Sequence, residues 1–254
     1  MKFPTLAKAK ADIRLPEYLD GNSVKMNGDI EKAMLVVRRI LSSSDTEFHS
    51  RSFILDQVRQ YGLFFSGWSL LSKFVEWQNC SQFGLLQYPT EFADFAMEVA
   101  KLNIDDAIEI GVYYGASSFF LAAMLQRANK KSTYHMVDIA DRIPAINEFK
   151  SLLNLEVHIP ATSDDFKGKE FDFVFIDADH SYEATLRDYL NLGQFAKKAV
   201  AFHDICGHEY DHLSGGTVRF WKDFRDSNAT EMRIVQFTHS PTEWMGIGLG
   251  VKEV

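Results

Sequence analysis

The stretch FDFVFIDADHSYE, residues 171–183, drives four apolar residues (Phe173 to Ile176) straight into Asp177, Ala178, Asp179 and His180. A short apolar run that stops so abruptly reads as a strand buried on both faces, as in a parallel sheet covered by helices. The junction is the informative part. An unpaired charge is expensive to bury, so the acids and the imidazole require a partner: a helix N-terminus, a metal or a ligand.

Working outward, the same alternation recurs on both sides. SYEATLRDYLNL reads as a helix with Tyr182, Leu186 and Leu190 in line, and KAVAFHDI as the next strand. Upstream, AIEIG, TYHMVDI and LEVHIP read as strands, separated by the helical patterns SSFFLAAML, apolar on every side, and IPAINEFKSLL. Downstream, TVRFWKDFRD reads as a helix, and MRIVQFTH and MGIGLGVK flank the turn-like SPTEW as a closing antiparallel hairpin. The fold class that follows is α/β: a doubly wound, mostly parallel, Rossmann-like sheet of seven strands with a C-terminal antiparallel hairpin. In such sheets ligands bind beyond the carboxyl ends of the strands, near the point where strand order reverses. Asp177 to His180 stand at such an end.

The first third is helical. DIEKAMLVVRRILSS places Ile30, Met34, Val37 and Leu41 on one face with Asp29 as N-cap, and RSFILDQVRQYGLFF and SLLSKFVEWQNC carry further helical patterns. In QYPT, Pro89 and Thr90 start a helix through EFADFAMEVAKL. The division expected is an N-terminal helical region, residues 1–85, acting as a cap, lid or dimer surface, and a ligand-binding domain, residues 86–254.

Bulk properties narrow the function. A chain of 254 residues, 46% hydrophobic and with only 2 Cys, can build its core without disulfides, which suits a reducing, cytoplasmic setting. The start shows no signal-peptide pattern, and the apolar run GLFFSGWSLL is too short to span a membrane. A net charge of -8 with no basic stripe argues against nucleic acid. The partner expected is a small molecule, with no nucleic acid and no membrane; the oligomeric state stays open between monomer and homo-oligomer.

Two motifs carry a nucleotide-type site. EIGVYYGASS, residues 109–118, has Gly111 and Gly115 bracketing a sharp strand-to-helix turn, where free N–H groups receive an anion. The spacing is G-x-x-x-G, with Tyr113 where a dinucleotide fingerprint has its middle glycine, which disfavours a pyrophosphate. Glu109, ahead of the turn, can hold an ammonium group or order the loop. Asp138 ends the second strand, where a carboxylate accepts both hydroxyls of a ribose. Together they favour an adenosine-type ligand without a diphosphate.

EIGVYYGASS resembles the first motif of class I S-adenosylmethionine-dependent methyltransferases, closest to the catechol O-methyltransferase-like branch. FDFVFIDADHSYEATLRDY followed by AVAFHDI is similar to related small-molecule O-methyltransferases. The resemblance spans about residues 86 to 254. It implies that Glu109, Gly111, Tyr113 and Gly115 form the loop around the methionine part of the cofactor, and that Ser117 binds its carboxylate. It further implies that Asp138 holds the ribose, that Ser163 flanks the adenine, and that Asp177 lies beside the cofactor. Asp177 and Asp204 match the ligands of a divalent cation such as Mg²⁺, although Ile205 stands where the metal-dependent members have Asn.

Methyl transfer to oxygen requires a deprotonated hydroxyl. A divalent cation can lower the hydroxyl pKa, or a histidine can take the proton; His180 and His203 are the candidate catalytic residues. His208 and His212 are spaced for a metal on a helix, but Cys206-Gly207 and LSGG read as loop, so they are expected to be exposed. The expected function is transfer of a methyl group from S-adenosylmethionine to a hydroxyl of a small molecule. The alternatives are a nicotinamide-dependent oxidoreductase, and a cofactor- or metal-binding relative without transferase activity.

Overall fold

The computed structural model describes residues 23–64, 80–81, 83–239 and 245–253. Among the described residues, seven strands form one sheet in the order β5-β4-β3-β6-β7-β9-β8. These are β3 (Asp106–Ile110), β4 (Thr133–Val137), β5 (Leu155–His158), β6 (Phe173–Ile176), β7 (Ala199–Cys206), β8 (Met232–Phe237) and β9 (Met245–Lys252). The first five are mutually parallel, and β8 and β9 close the sheet as an antiparallel hairpin against β7. A separate parallel pair joins β1 (Leu63–Phe64) to β2 (Cys80–Ser81). The chain winds from β3 out to β5, then returns to lay β6 on the other side of β3, so strand order reverses between β3 and β6.

Burial on both faces explains the apolar strands. Within β6, Phe173 and Phe175 enter one core while Val174 and Ile176 enter the other. The first core is capped by helices α1 (Ser23–Leu41), α3 (Arg51–Tyr61), α4 (Pro89–Ala100) and α5 (Ala116–Ala128). The second lies under α7 (Tyr182–Asn191) and α8 (Gly216–Asn228), where Phe220, Trp221 and Phe224 surround Phe202. Helix α5 is buried on nearly every side, as its uniformly apolar sequence requires.

The first third joins this same core. Ile30, Val37, Ile40, Ile54 and Val58 pack with Phe119 and Phe120 of α5. Two polar ties reinforce the contact: Arg127 donates from Nε and a terminal nitrogen to the Ser43 carbonyl at 3.0 and 2.8 Å, and Tyr61 donates to the Ala116 carbonyl at 3.0 Å. The short helix α2 (Asp45–Phe48) is fixed by a capping box between Ser44 and Glu47.

Local readings need adjusting in four places. Helix α1 begins at Ser23, so Asp29 sits within it, buried and paired to Lys32 at 3.2 Å, and does not cap it. Helix α3 stops at Gly62, whose φ of 96° breaks the helix, and Leu63–Phe64 then form a strand. Helix α6 is only Ile146–Lys150, entered through left-handed Ala145. On α7 Tyr182 and Leu186 pack against the second core as their spacing requires, but Leu190 is exposed and Thr185, Asp188 and Asn191 are buried, because the helix also closes over polar groups. The expected helix at 69–80 and the turn SPTEW lie, except for Cys80, outside the described residues.

Phe149 of α6 stacks on Phe119 with centroids 3.7 Å apart and planes 9° apart, and both are fully buried. Phe149→Ala is expected to lower unfolding free energy by about 3–5 kcal/mol through lost burial and the cavity left behind. The check is urea denaturation of variant and parent under identical conditions.

Candidate active site

The reversal between β3 and β6 brings the ends of three strands together. Gly111 follows β3 with φ 90°, and its N–H donates to the Val137 carbonyl of β4 at 2.8 Å. Any Cβ there would collide with the Asp177 carbonyl oxygen and with Ala178, so this position admits only glycine. The Asp177 N–H in turn donates to the Ile110 carbonyl at 2.9 Å. Asp138, just past β4, is buried, and its two oxygens accept from the Tyr113 N–H at 2.8 Å and the Ala140 N–H at 3.0 Å. Tyr113 holds a left-handed conformation (φ 51°), its ring beside Tyr114 and under Arg142. Gly115, at φ 79°, opens α5.

Glu109 is fully buried at the base of this turn. It accepts hydrogen bonds from the hydroxyls of Ser117 and Ser118, both at 2.6 Å, and from Tyr134 at 2.8 Å. All three donors are neutral. Burial therefore dominates and pushes the carboxyl up to about 7, with the hydroxyls and the Asp177 charge as smaller influences.

Beside the turn lies a cluster of two acids and two imidazoles. Nδ1 of His203 stands 3.2 Å from an oxygen of Asp177 and 3.2 Å from an oxygen of Asp204. Nε2 of His180 stands 3.4 Å from Asp177 and 3.5 Å from Asp204. Tyr210 donates to the second oxygen of Asp204 at 2.8 Å, and its ring lies against His180. A break in the β7–β9 register between His203 and Cys206, with left-handed Asp204 (φ 56°), is what brings this acid onto the cluster. Burial opposes the charge of every member, yet the mutual attraction prevails. Both imidazoles are held above the usual histidine range, His203 far above it, and both acids below the usual carboxylate range.

The structure thus gathers Glu109, Gly111, Tyr113, Gly115, Ser117, Asp138, Asp177, His180, His203 and Asp204 at one end of the sheet. Ser163 behaves differently: it is fully buried, donates its hydroxyl to Asp188 at 2.6 Å and accepts from Asn191 at 3.0 Å, so it braces the loop after β5. His208 and His212 are exposed in the loop after β7. Four residues of the site are not among the candidates: Ser118 and Tyr134, which complete the Glu109 cradle, Tyr210, and Gln87, whose amide meets Nε2 of His203. Ser118 closes the glycine-turn motif, whereas Tyr134 and Gln87 fall in stretches read only as a strand and a helix start.

Residues 108–205 match a family model described as a methyltransferase domain. No curated protein matches the chain. Among solved structures, the O-methyltransferase from Bacillus cereus in complex with SAH is 16% identical, with a TM-score of 0.52 over 91% of this chain and 99% of that one. The O-methyltransferase TomG from Streptomyces achromogenes, involved in tomaymycin synthesis and solved with SAM, is 13% identical, with a TM-score of 0.51 over 93% of this chain and 100% of that one. The structural likeness is one of fold. Residues 108–205 are thus similar to a methyltransferase domain, set in a fold shared with solved O-methyltransferases.

The raised Glu109 carboxyl has a sign that can be measured. Its ordinary value is 4.5, so from about pH 4.5 upward the unfolded chain gives up this proton while the native protein keeps it until about pH 7. The native state then binds more protons, and stability falls as pH rises through this window. The contribution is on the order of 3 kcal/mol. Glu109→Gln is expected to flatten that part of the profile, read by urea titrations at pH 5, 6 and 7; an unchanged slope would assign the dependence to other groups.

Proposed function

We propose that this protein transfers a methyl group from S-adenosylmethionine to a hydroxyl of a small molecule. The observation that carries the reading is the convergence of the Gly111 turn, Asp138 and Asp177 on adjacent carboxyl ends at the strand-order reversal. These residues suit the cofactor. Asp138 would accept from the ribose hydroxyls with the lone pairs its two amide partners leave. Ile139, 70% exposed beside it, offers apolar surface to the base. Glu109, buried among neutral donors, is suited to a cationic amino group, and Ser117, part-exposed at the start of α5, to the carboxylate of the methionine portion. The part played by Ser163 would be to hold the adenine loop in shape through Asp188. When bound, S-adenosylmethionine supplies an activated methyl on its sulfonium.

The chain's own residues hold the acceptor in line with that methyl and remove the hydroxyl proton, and positioning is the larger share of catalysis. The acceptor would lie over Asp177, His180, His203 and Asp204. The proton has two ways out. His180, the less buried imidazole, can take it, or a cation held by the cluster can lower the hydroxyl pKa. Mg²⁺ between Asp177 and Asp204 suits the donors poorly, since an imidazole nitrogen already stands 3.2 Å from an oxygen of each acid, and Mg²⁺ prefers oxygen ligands.

Residues 1–85 are proposed as a helical cap on the methyltransferase domain, residues 86–254, supported by the Tyr61 bond to Ala116 at the start of α5. No described helix is long and apolar enough to cross a membrane. The low cysteine count supports a cytoplasmic setting.

Calorimetric titration with S-adenosylhomocysteine tests the cofactor. One-site binding is expected for the parent, lost in Asp138→Ala and in Gly111→Ala, with release of S-adenosylhomocysteine when hydroxylated acceptors are screened against S-adenosylmethionine. His180→Ala is expected to retain binding and lose turnover. Absence of binding by folded parent would remove the transferase reading.

A further inference from the structure

We infer that Tyr61 is a positioning residue for the Gly111–Ser118 turn, through which the helical third sets the affinity for S-adenosylmethionine; the inference rests on the cofactor reading of that turn. Tyr61 is the last residue of α3 and only 1% exposed. Its hydroxyl donates at 3.0 Å to the carbonyl of Ala116, the first residue of α5. Burial, and after it the Glu109 charge, holds the phenol well above its usual range, so it remains a neutral donor. The ring is fixed edge-on against Phe120, with centroids 5.5 Å apart, and tilted against Phe83 at 6.1 Å.

The first turn of α5 has few other supports. Gly115 opens the helix in a left-handed conformation without a side-chain cap, and no acid lies in the first turn. Ser117 and Ser118, the next two residues, both donate to Glu109. An uncapped helix start can receive the carboxylate of the methionine portion, provided that the turn is held still. Tyr61 grips that turn from outside. Ala116, Ser117 and Ser118 are consecutive in one helical turn, so displacement of the Ala116 carbonyl carries the Glu109 cradle with it.

Behind Tyr61 the chain is equally constrained. Gly62, at φ 96°, accepts from the Leu85 N–H at 2.9 Å, and Gly84 lies so close to the Gly62 carbonyl that it admits no Cβ. Leu63 pairs with Leu85, two residues before Gln87. The end of α3 is therefore clamped between the start of α5 and the segment that leads to Gln87. A second tie joins the helical third to the other end of α5, where Arg127 donates to the Ser43 carbonyl and, at 2.6 Å, to Asp45. Residues 116 and 127 are about 16 Å apart along the helix axis, so loss of the Arg127 tie loosens the same contact without touching the turn.

The experiment compares full-length parent, Tyr61→Phe and Arg127→Met by calorimetric titration with S-adenosylhomocysteine, by urea denaturation, and by hydrogen–deuterium exchange with and without ligand. Tyr61→Phe keeps the ring and removes only the donor. Both variants are expected to lose stability. Tyr61→Phe is expected to raise the Kd about five- to tenfold, in keeping with one buried hydrogen bond, while Arg127→Met stays within about twofold of the parent. In the unliganded protein, amides 116–120 are expected to exchange faster in Tyr61→Phe alone, and ligand is expected to protect the end of α3 in the parent but not in that variant. A merely structural tyrosine would change the urea midpoint and leave the Kd alone. The inference is overturned if Tyr61→Phe binds as tightly as the parent, if Arg127→Met weakens binding as much, or if exchange at 116–120 is unaltered. Folded parent that ignores S-adenosylhomocysteine would sink the transferase reading and this inference with it, whereas a parent that binds beside an unaffected Tyr61→Phe sinks this inference alone.

Discussion

The close approach of Gly111 to the backbone of Asp177 and Ala178 is the constraint on which the site depends. The turn after β3 and the end of β6 belong to opposite halves of the doubly wound sheet, yet they touch with no room for a single Cβ. Mutual hydrogen bonds lock the approach: Asp177 donates to Ile110, and Gly111 donates to Val137. A group-transfer enzyme needs its two reacting atoms within about 3–3.5 Å before reaction. Here the wall that would carry the methyl donor and the wall that would carry the acceptor are the same few backbone atoms. Tolerance for error is accordingly small, and rigidity of the sheet below replaces flexibility in the loop.

The buried acids at this end are satisfied in different ways, and the difference gives each a task. Glu109 has three hydroxyl donors and no cation, so burial raises its carboxyl, and a positively charged group arriving there would be welcome. Asp138 is held by two backbone amides, which fix its orientation while leaving acceptor capacity on both oxygens. Asp177 and Asp204 face imidazoles and are held ionised. Asp172, at the opposite end of β6, contrasts with all of these: it is pinned by Lys197 and Lys198 at 3.1 and 3.0 Å and by the Asp105 N–H, a purely structural arrangement. Acids at the carboxyl ends face neutral donors or imidazoles, whereas the acid at the amino end is pinned by two lysines. This asymmetry is an electrostatic reason to place chemistry where strand order reverses.

Much of this was legible in the chain. Uninterrupted apolar runs such as Phe173 to Ile176 can only be doubly covered strands, and the abrupt switch to Asp177 locates the carboxyl end. The glycine turn, Asp138 and the Asp177, His180, His203, Asp204 set all lie at strand ends, where period and polarity change together. What escaped has a common cause. Tyr134 and Gln87 act across 25 and 116 residues of sequence, so their partners are set by tertiary packing alone. The start of α1 was misplaced because Asp29 is an N-cap residue type, but Lys32 and the shared core favour continuing the helix through it. On α7 the expected apolar face holds at Tyr182 and Leu186 but not at Leu190, and Asp188 is buried because Ser163 needs an acceptor there.

Gln87 shows why the histidine side of the site cannot be a local motif. It is delivered by the segment leading into α4, where Phe83, Leu85 and Tyr88 are buried in the core and Pro89 fixes the helix start. Packing of those apolar side chains therefore sets where the amide lies, and the amide decides which nitrogen of His203 can carry a proton. On the other side of the ring, the register break in β7 turns Asp204 toward Nδ1. A single imidazole is thus oriented by the core segment that leads into α4 and by a strand irregularity more than a hundred residues later. Under the proposed assignment, the turn at Gly111 would keep its place while the His203 side is retuned by changes in how the segment leading into α4 seats on the sheet.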